Sequence, residues 1–197
     1  MQPNSCVMRK LILQTQVSVD GFMGGLNGEM DWVNLEWSDE LIAHTQGLSD
    51  RVDTILLGHE LAKGFIPFWL SVAEDSENPE QEAGRFFTAC QKLVFSRSKQ
   101  AVPASWPNAE FVHDPFETVI AQLKAAQGKD LIAYGGSRWA QSIIAAQLVD
   151  EYHLYINPVA LGKGLPLFSA LEQAQKLQLT KSLHTASGIQ LLVYQPQ

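Results

Sequence analysis

Three apolar runs in this chain stop abruptly at residues that could do chemistry. Asp130-Leu131-Ile132-Ala133-Tyr134 halts at Gly135-Gly136-Ser137, after which Arg138-Trp139-Ala140-Gln141-Ser142-Ile143-Ile144 reads as a helix. Val52-Asp53-Thr54-Ile55-Leu56-Leu57 halts at Gly58-His59, and Lys92-Leu93-Val94-Phe95 at Ser96-Arg97. A glycine pair between strand and helix makes a cradle for phosphate. With no Cβ the anion comes close to the backbone, and the unpaired N–H groups of the helix's first turn favour it. Ser137 adds a hydroxyl, as helix cap or as further donor. A sharp strand-to-helix turn with a serine cap is spelled the same way, so the turn taken alone leaves both readings open. Ligands of open parallel sheets bind beyond the carboxyl ends of the strands. There, two glycine turns can hold a pyrophosphate between them, and an arginine fork on a neighbouring strand end can pair with a further phosphate. These are the requirements of a dinucleotide, present without the G-x-G-x-x-G fingerprint.

The elements that must position these residues alternate along the chain. Met8 to Val17 reads as a buried strand, with Leu11, Ile12, Leu13 and Val17 on its apolar side. The following loop holds four glycines in the eight positions 21–28, together with Phe22, Met23, Leu26, Met30 and Trp32, side chains that favour burial. It is either a lid over a site or a connection that plugs the end of the core. Ser38-Asp39-Glu40 opens a helix expected to end near Gly47, and His59 to Lys63 a short one. Residues 66–80 read as an acidic surface excursion, Glu80 to Ala89 as a helix, Phe111 to His113 as a short strand. Pro115 to Ala126 and residues 137–147 read as helices. Asp150 to Val159 alternates Tyr152, Leu154 and Ile156 with His153, Tyr155 and Asn157 as a strand. Leu177 to Leu183 and Ile189 to Tyr194 pair as a terminal hairpin. The pattern predicts an α/β fold: a mixed, mostly parallel sheet with an antiparallel C-terminal edge and helices on both faces.

Composition narrows the function. A chain of 197 residues with 46% hydrophobic content fits one domain over residues 1–197, of which 1–7 would be a flexible tail. No 18-residue apolar stretch exists and the first residues lack signal-peptide regions, so a cytoplasmic protein without membrane contact is expected. Cys6 and Cys90, without C-x-x-C spacing, read as a tail thiol and a core filler, so neither a disulfide framework nor a metal site is expected. The net charge of −7 argues against nucleic acid as a partner. Residues 1–80 hold four basic and thirteen acidic side chains, residues 81–197 ten and eight. An anionic ligand should therefore lean on the second half.

As an ordered set, Ser18-Val19-Asp20-Gly21-Phe22, Leu56-Leu57-Gly58, Val94-Phe95-Ser96-Arg97, Tyr134-Gly135-Gly136-Ser137 and Asn157-Pro158-Val159-Ala160-Leu161-Gly162-Lys163-Gly164-Leu165-Pro166-Leu167-Phe168 resemble the dihydrofolate-reductase-like superfamily. The branch most like it is the C-terminal reductase domain of riboflavin-biosynthesis (RibD) proteins. The resemblance covers roughly residues 8–195 and implies an eight- or nine-stranded mixed sheet, NADPH as hydride donor, a homodimer and a cis peptide at Gly135-Gly136. It places Gly58 at the cofactor's phosphates and Ser96 and Arg97 at the adenosine 2′-phosphate. Gly135, Gly136, Ser137 and Arg138 would cradle the pyrophosphate, and Val17, Ser18, Asp20 and Gly21 would border the nicotinamide. Where that family continues from Gly58 with an Arg and, two residues on, a Thr or Ser, this chain has His59 and Leu61. His59 can still donate to a phosphate.

On the substrate side, Glu36, Asp39 and Glu40 lie where the resemblance places a carboxylate, Asp39 being the catalytic candidate and helix capping its other explanation. Trp32 and Lys163 are the candidate substrate contacts. No zinc-deaminase H-x-E or P-C-x-x-C motif accompanies the domain. The expected activity is NADPH-dependent reduction of a C=N or C=O in a small heterocyclic or carbonyl compound, with aminouracil-ribose-phosphate the family-level example. A pterin or folate-type reductase and a catalytically silent nucleotide sensor are the alternatives. The acidic first half further implies that a neutral or cationic heterocycle is preferred to a phosphorylated one.

Overall fold

Thirteen elements form along the chain in the computed structural model, which describes residues 8–97 and 101–197. They are β1 (Leu11–Ser18), α1 (Asp39–Arg51), β2 (Val52–Gly58), α2 (His59–Glu74), α3 (Gln81–Ala89), β3 (Gln91–Phe95), β4 (Ala109–Val112), α4 (Phe116–Ala125), β5 (Asp130–Tyr134), α5 (Ser137–Ala145), β6 (Glu151–Asn157), β7 (Leu177–His184) and β8 (Gln190–Pro196). The strands make one sheet in the order β4-β3-β2-β5-β1-β6-β8-β7. Pairing is parallel from β4 to β6, and β8 runs antiparallel to β6 and β7.

Crossover handedness decides where the helices go. A right-handed connection between parallel strands places its helix on one face when the chain steps one way along the sheet, and on the other when it steps back. From β1 through β2 and β3 the chain moves toward β4, and α1, α2 and α3 share one face through Leu48, Ala62, Ile66, Phe86 and Phe87. From β4 to β5 and on to β6 it moves back, and α4 and α5 cover the opposite face through Ile120, Ala140, Ile143 and Ile144. The strands between are apolar on both sides: Leu11, Leu13 and Leu131 face α4 and α5, Ile12, Ile55 and Ile132 the other layer.

Three expectations are corrected. Helix α1 runs a turn past Gly47, because the next residue, Leu48, is buried, and its burial outweighs the roughly 1 kcal/mol that a helical glycine costs. Helix α2 continues to Glu74 through Pro67, so residues 66–74 are not a surface excursion. Its stripe of Ala62, Ile66 and Val72 is buried, and that packing overrides the proline. No cis peptide occurs among the described residues; Gly136 instead takes φ 129° and ψ 105°, a region that L side chains rarely adopt. Cys90 is a buried core residue, whereas the tail at residues 1–7, with Cys6, lies outside the described residues. No helix among the described residues is long and apolar enough to cross a membrane.

A polar column on β6 fixes α1 against the sheet. Glu151, His153, Tyr155 and Asn157 alternate toward α1, and all are buried. The Lys181 ammonium meets His44 Nδ1 at 3.0 Å, His44 Nε2 meets His153 Nδ1 at 3.0 Å, and His153 Nε2 meets a Glu151 oxygen at 3.2 Å. An ammonium only donates and a carboxylate only accepts, so all three bonds form with one polarity and both imidazoles neutral. Glu151 also pairs with Lys10 at 2.9 Å and Arg51 at 3.3 Å.

Burial, with His153 and the Lys181 ammonium packed beside the ring, holds His44 down at about 4 instead of 6.5. The unfolded chain takes up this proton near pH 6.5 and the folded chain only near 4. The tether's contribution is therefore fully present above 6.5 and lost as pH falls through 4. Thermal denaturation should show Tm falling over that window, and His44→Gln should lower Tm at pH 7 while flattening the slope. An unchanged slope in the variant would assign the acid sensitivity elsewhere.

Candidate active site

The three chemistry-bearing strand ends lie side by side. Strands β3, β2, β5 and β1 are consecutive in the sheet, and at their carboxyl ends stand Ser96-Arg97, Gly58-His59, Gly135-Gly136 and Ser18. Three inter-strand steps span about 14 Å, the scale of a dinucleotide laid along the edge. Helices α2 and α5 both begin at this edge from opposite faces, with Gly58 and Gly136 as N-caps and no side-chain cap bond at either. A glycine cap supplies no oxygen to the first-turn N–H groups. Two adjacent helix starts thus aim free donors and positive dipole ends at one place, and these residues fit a pyrophosphate.

The two glycines are required for different reasons. At Gly58 a Cβ would sit 2.9 Å from the Cβ of Trp139, so its absence lets α5 close onto β2. At Gly136 the positive φ is the requirement, and Leu61 of α2 approaches where a Cβ would point, at 3.4 Å. Ser137 is the first helical residue of α5, not its cap. Arg138 and Arg97 are exposed at the rim. The Ser96 N–H bonds the Val112 carbonyl and the Ser96 carbonyl meets His113 Nδ1 at 3.0 Å, which joins the β3 and β4 ends. His59 stands edge-on to Phe111, ring centroids 5.3 Å apart, and so leans toward β4.

At the end of β1 the backbone turns sharply. The Ser18 hydroxyl accepts the Phe22 N–H at 3.0 Å and donates to Asp20 at 2.6 Å. The Asp20 carboxylate also accepts the N–H groups of Leu161 and Gly162, at 3.1 and 2.7 Å, and these bonds hold it at about 2. Backbone bonds from Met23 to Leu165, Leu165 to Gly24 and Leu167 to Gly21 continue the seam. Asp20 is therefore a clamp between two loops, at the place where the resemblance puts the nicotinamide border, and Val17 lies in the core. The glycine-rich loop is partly a plug and partly open: Met23 is buried, whereas Leu26 and Met30 are exposed, so the expected burial of its apolar side chains holds only at its start. Trp32 ties its indole N–H to the Glu29 carbonyl, and Lys163 is exposed in the clamped loop.

On the acceptor side the structure does not bring Asp39 to the sheet. It is exposed at the first position of α1, whose inner stripe reads Leu41, His44 and Leu48, with Trp37 one turn before. Sequence reasoning passed over the polar groups that the register lays on the sheet face under α1 and α2: Gln14 and Gln16 on β1, Tyr134 on β5 and Tyr155 on β6. The available signal was two glutamines in a strand otherwise apolar enough for the centre of a parallel sheet.

A mostly parallel eight-stranded sheet with this strand order and an antiparallel C-terminal edge is a dihydrofolate-reductase-like fold. A model of the RibD C-terminal domain matches residues 9–191, and the chain belongs to that family. It is 34% identical over 193 residues to the uncharacterized protein YyaP of Bacillus subtilis, covering 97% of both chains. Among solved structures it resembles the Thermotoga maritima diaminohydroxyphosphoribosylaminopyrimidine deaminase/5-amino-6-(5-phosphoribosylamino)uracil reductase, with a TM-score of 0.69 at 16% identity, over 96% of this chain and 57% of that one. It also resembles Enterococcus faecalis dihydrofolate reductase complexed with NADP(H), with a TM-score of 0.58 at 12% identity, over 95% and 96% of the two chains.

If Asp20 holds the two loops together, Asp20→Ala should leave the sheet intact and release them. Hydrogen exchange at the Leu161 and Gly162 amides should accelerate at least about tenfold, the worth of a charge-assisted bond. Unchanged protection would show that the backbone seam suffices.

Proposed function

We propose that this protein is an NADPH-dependent reductase of a small heterocyclic or carbonyl compound. The observation that supports it most is the pair of glycine-capped helix starts on neighbouring strand ends, with an arginine on the next strand. In this reading the first-turn N–H groups of α5 and α2 hold the pyrophosphate, and Ser96 and Arg97 hold the 2′-phosphate end. The backbone from Ser18 to Gly21 borders the nicotinamide. NADPH supplies hydride from the nicotinamide ring. The protein orients the two reactants, keeps water from the cleft by the clamped loops, and polarises the C=N or C=O that accepts hydride. A homodimer in the cytoplasm, acting on a small molecule, belongs to the same proposal. The outward-facing Asp39 favours a substrate held without a carboxylate over a pterin.

A second reading, a silent nucleotide-binding protein, is favoured by one observation: Leu61, apolar, packs against Gly136 between the two helix starts. NADPH oxidation decides between them, and 5-amino-6-(5-phosphoribosylamino)uracil is the first acceptor to try. Turnover with any acceptor excludes silence.

Two substitutions test the cofactor assignment. Arg97→Ala should weaken NADPH about ten- to a hundredfold, the range for a lost charge-assisted bond, and leave NADH nearly unchanged. Equal losses for both cofactors would remove Arg97 from the 2′-phosphate. Gly136→Val should leave a folded protein, destabilised by about 1–3 kcal/mol through its backbone conformation, that no longer gains Tm from NADPH. A wild-type thermal shift would make this turn purely structural.

A further inference from the structure

Away from the carboxyl edge, a groove of about 370 Å³ runs between α1 and the terminal hairpin. Glu151 lines it and opens β6, so the carboxyl edge of the sheet lies at the other end of that strand, about 20 Å away. On α1 the lining residues His44, Gly47, Leu48 and Arg51 follow a helical spacing and form one wall. Thr180 and Lys181 of β7 and Val193 of β8 form the other. Leu48 and Val193 are buried, which gives the groove an apolar floor under a polar rim.

Gly47 is the residue here that the fold does not explain. Inside a helix it costs about 1 kcal/mol relative to alanine. Nothing lies within 4 Å of where its Cβ would stand, so no close approach demands it. What the missing side chain provides is open space over α1 between His44 and Arg51, which the helical rise sets about 10 Å apart. Charge around that space is lopsided. Glu151 is spent: Lys10 at 2.9 Å, His153 at 3.2 Å, and Arg51 and Gln195 at 3.3 Å all donate to it. Asp130 takes Arg51 at 2.8 Å. The cations are not spent. Lys181 gives one N–H to His44 at 3.0 Å and touches no carboxylate among the described residues. Arg51 bonds through its two terminal nitrogens, which leaves its Nε–H unbonded among the described residues, and its side chain is 43% exposed. Three cations thus stand against two carboxylates, a local reversal of sign in a chain of net charge −7.

We propose that this groove is a second anion site, which takes a small phosphate compound over Gly47 between the Lys181 ammonium and the Arg51 guanidinium. The unused donors come from a strand on one side and a helix on the other, so the ligand must present acceptor oxygens in several directions. Tetrahedral phosphate does this, whereas a carboxylate offers both oxygens in one plane. The volume is at the lower end for ligand pockets and suits a phosphate with a small body resting on Leu48 and Val193. A bound phosphate ties α1 to β7 across the gap that the Lys181–His44 bond already spans, and so adds to the stability of the folded chain. The site stands apart from the carboxyl edge and does not depend on whether that edge holds NADPH.

The test titrates the full chain with inorganic phosphate and follows NMR signals of the His44 ring and the Gly47 and Lys181 amides, with sodium chloride at equal ionic strength as control. The three signals should move together on one saturating curve that chloride does not reproduce. The Gly136 and Ser137 amides report the carboxyl edge separately. Lys181→Met should weaken phosphate at the groove at least about tenfold, the worth of a charge-assisted bond, and Lys181→Arg should retain most of the affinity. Gly47→Leu keeps every charge and fills the space, so it should abolish the curve without lowering Tm, leucine being the better helix former. Both losses should leave the Gly136 response unchanged, and acetate should bind more weakly than phosphate. Movement that chloride reproduces, or a response confined to Gly136 and Ser137, would overturn the site. An unchanged curve in Lys181→Met or in Gly47→Leu would overturn its placement, and tighter binding of acetate would overturn the phosphate class.

Discussion

The parallel pairing of β1 with β5 is the constraint on which the rest of this molecule depends. Leu11, Ile12 and Leu13 stand opposite Leu131, Ile132 and Ala133, all buried, so both faces of the pair must be covered. The chain leaves β1 toward one edge of the sheet and leaves β5 toward the other. Right-handed crossovers then put α1 on one face and α5 on the other, and a cleft opens where the two strands end. That cleft is where the glycine turn of β5 meets the serine turn of β1. A one-residue slip in this register would send Gln14 and Gln16 to the α5 face and the leucines to the α1 face.

Polar residues within this frame fall into two groups. Glu151, His153, His44 and Lys181 satisfy one another in a single direction of donation, and so bind α1 and the hairpin to β6 without an uncompensated charge. Asp20 does the same for two loops on the other side of the cleft. Those groups are structural: burial pushes the His44 pKa down, and hydrogen bonds hold the Glu151 and Asp20 carboxylates below their usual range. The first-turn N–H groups of α2 and α5 are the complement: polar groups at the carboxyl edge of the sheet that no side-chain cap matches. Their position at one strand edge is what makes a binding site the economical explanation.

His59 and Leu61 show how a family pattern shifts within a fixed fold. His59 leans on Phe111 and Leu61 on Gly136, so both pack where the resemblance places phosphate contacts. The backbone donors of the helix start do not depend on side-chain identity, so the proposed phosphate site does not rest on residues 59 and 61.

Sequence alone determined the elements whose cause is local. Strand β2 ends at Gly58, β5 at Tyr134, and the helix after Gly135-Gly136 begins where a glycine can adopt φ 129°. Apolar runs bounded by glycine and charge specify these without help from distant residues. Tertiary structure decided the rest. Helix α2 passes Pro67 because its stripe meets the sheet, and Asp39 turns outward because Leu41 and His44 take the inner positions. Asp20 is a clamp because residues 161 and 162 come back to it across the chain. Gln14, Gln16 and Tyr155 read as scattered polar residues until the β1–β6 register, residues apart by more than 130 positions, lays them on one face. Contacts of that separation depend on the closure of the whole sheet, and no window of sequence contains them.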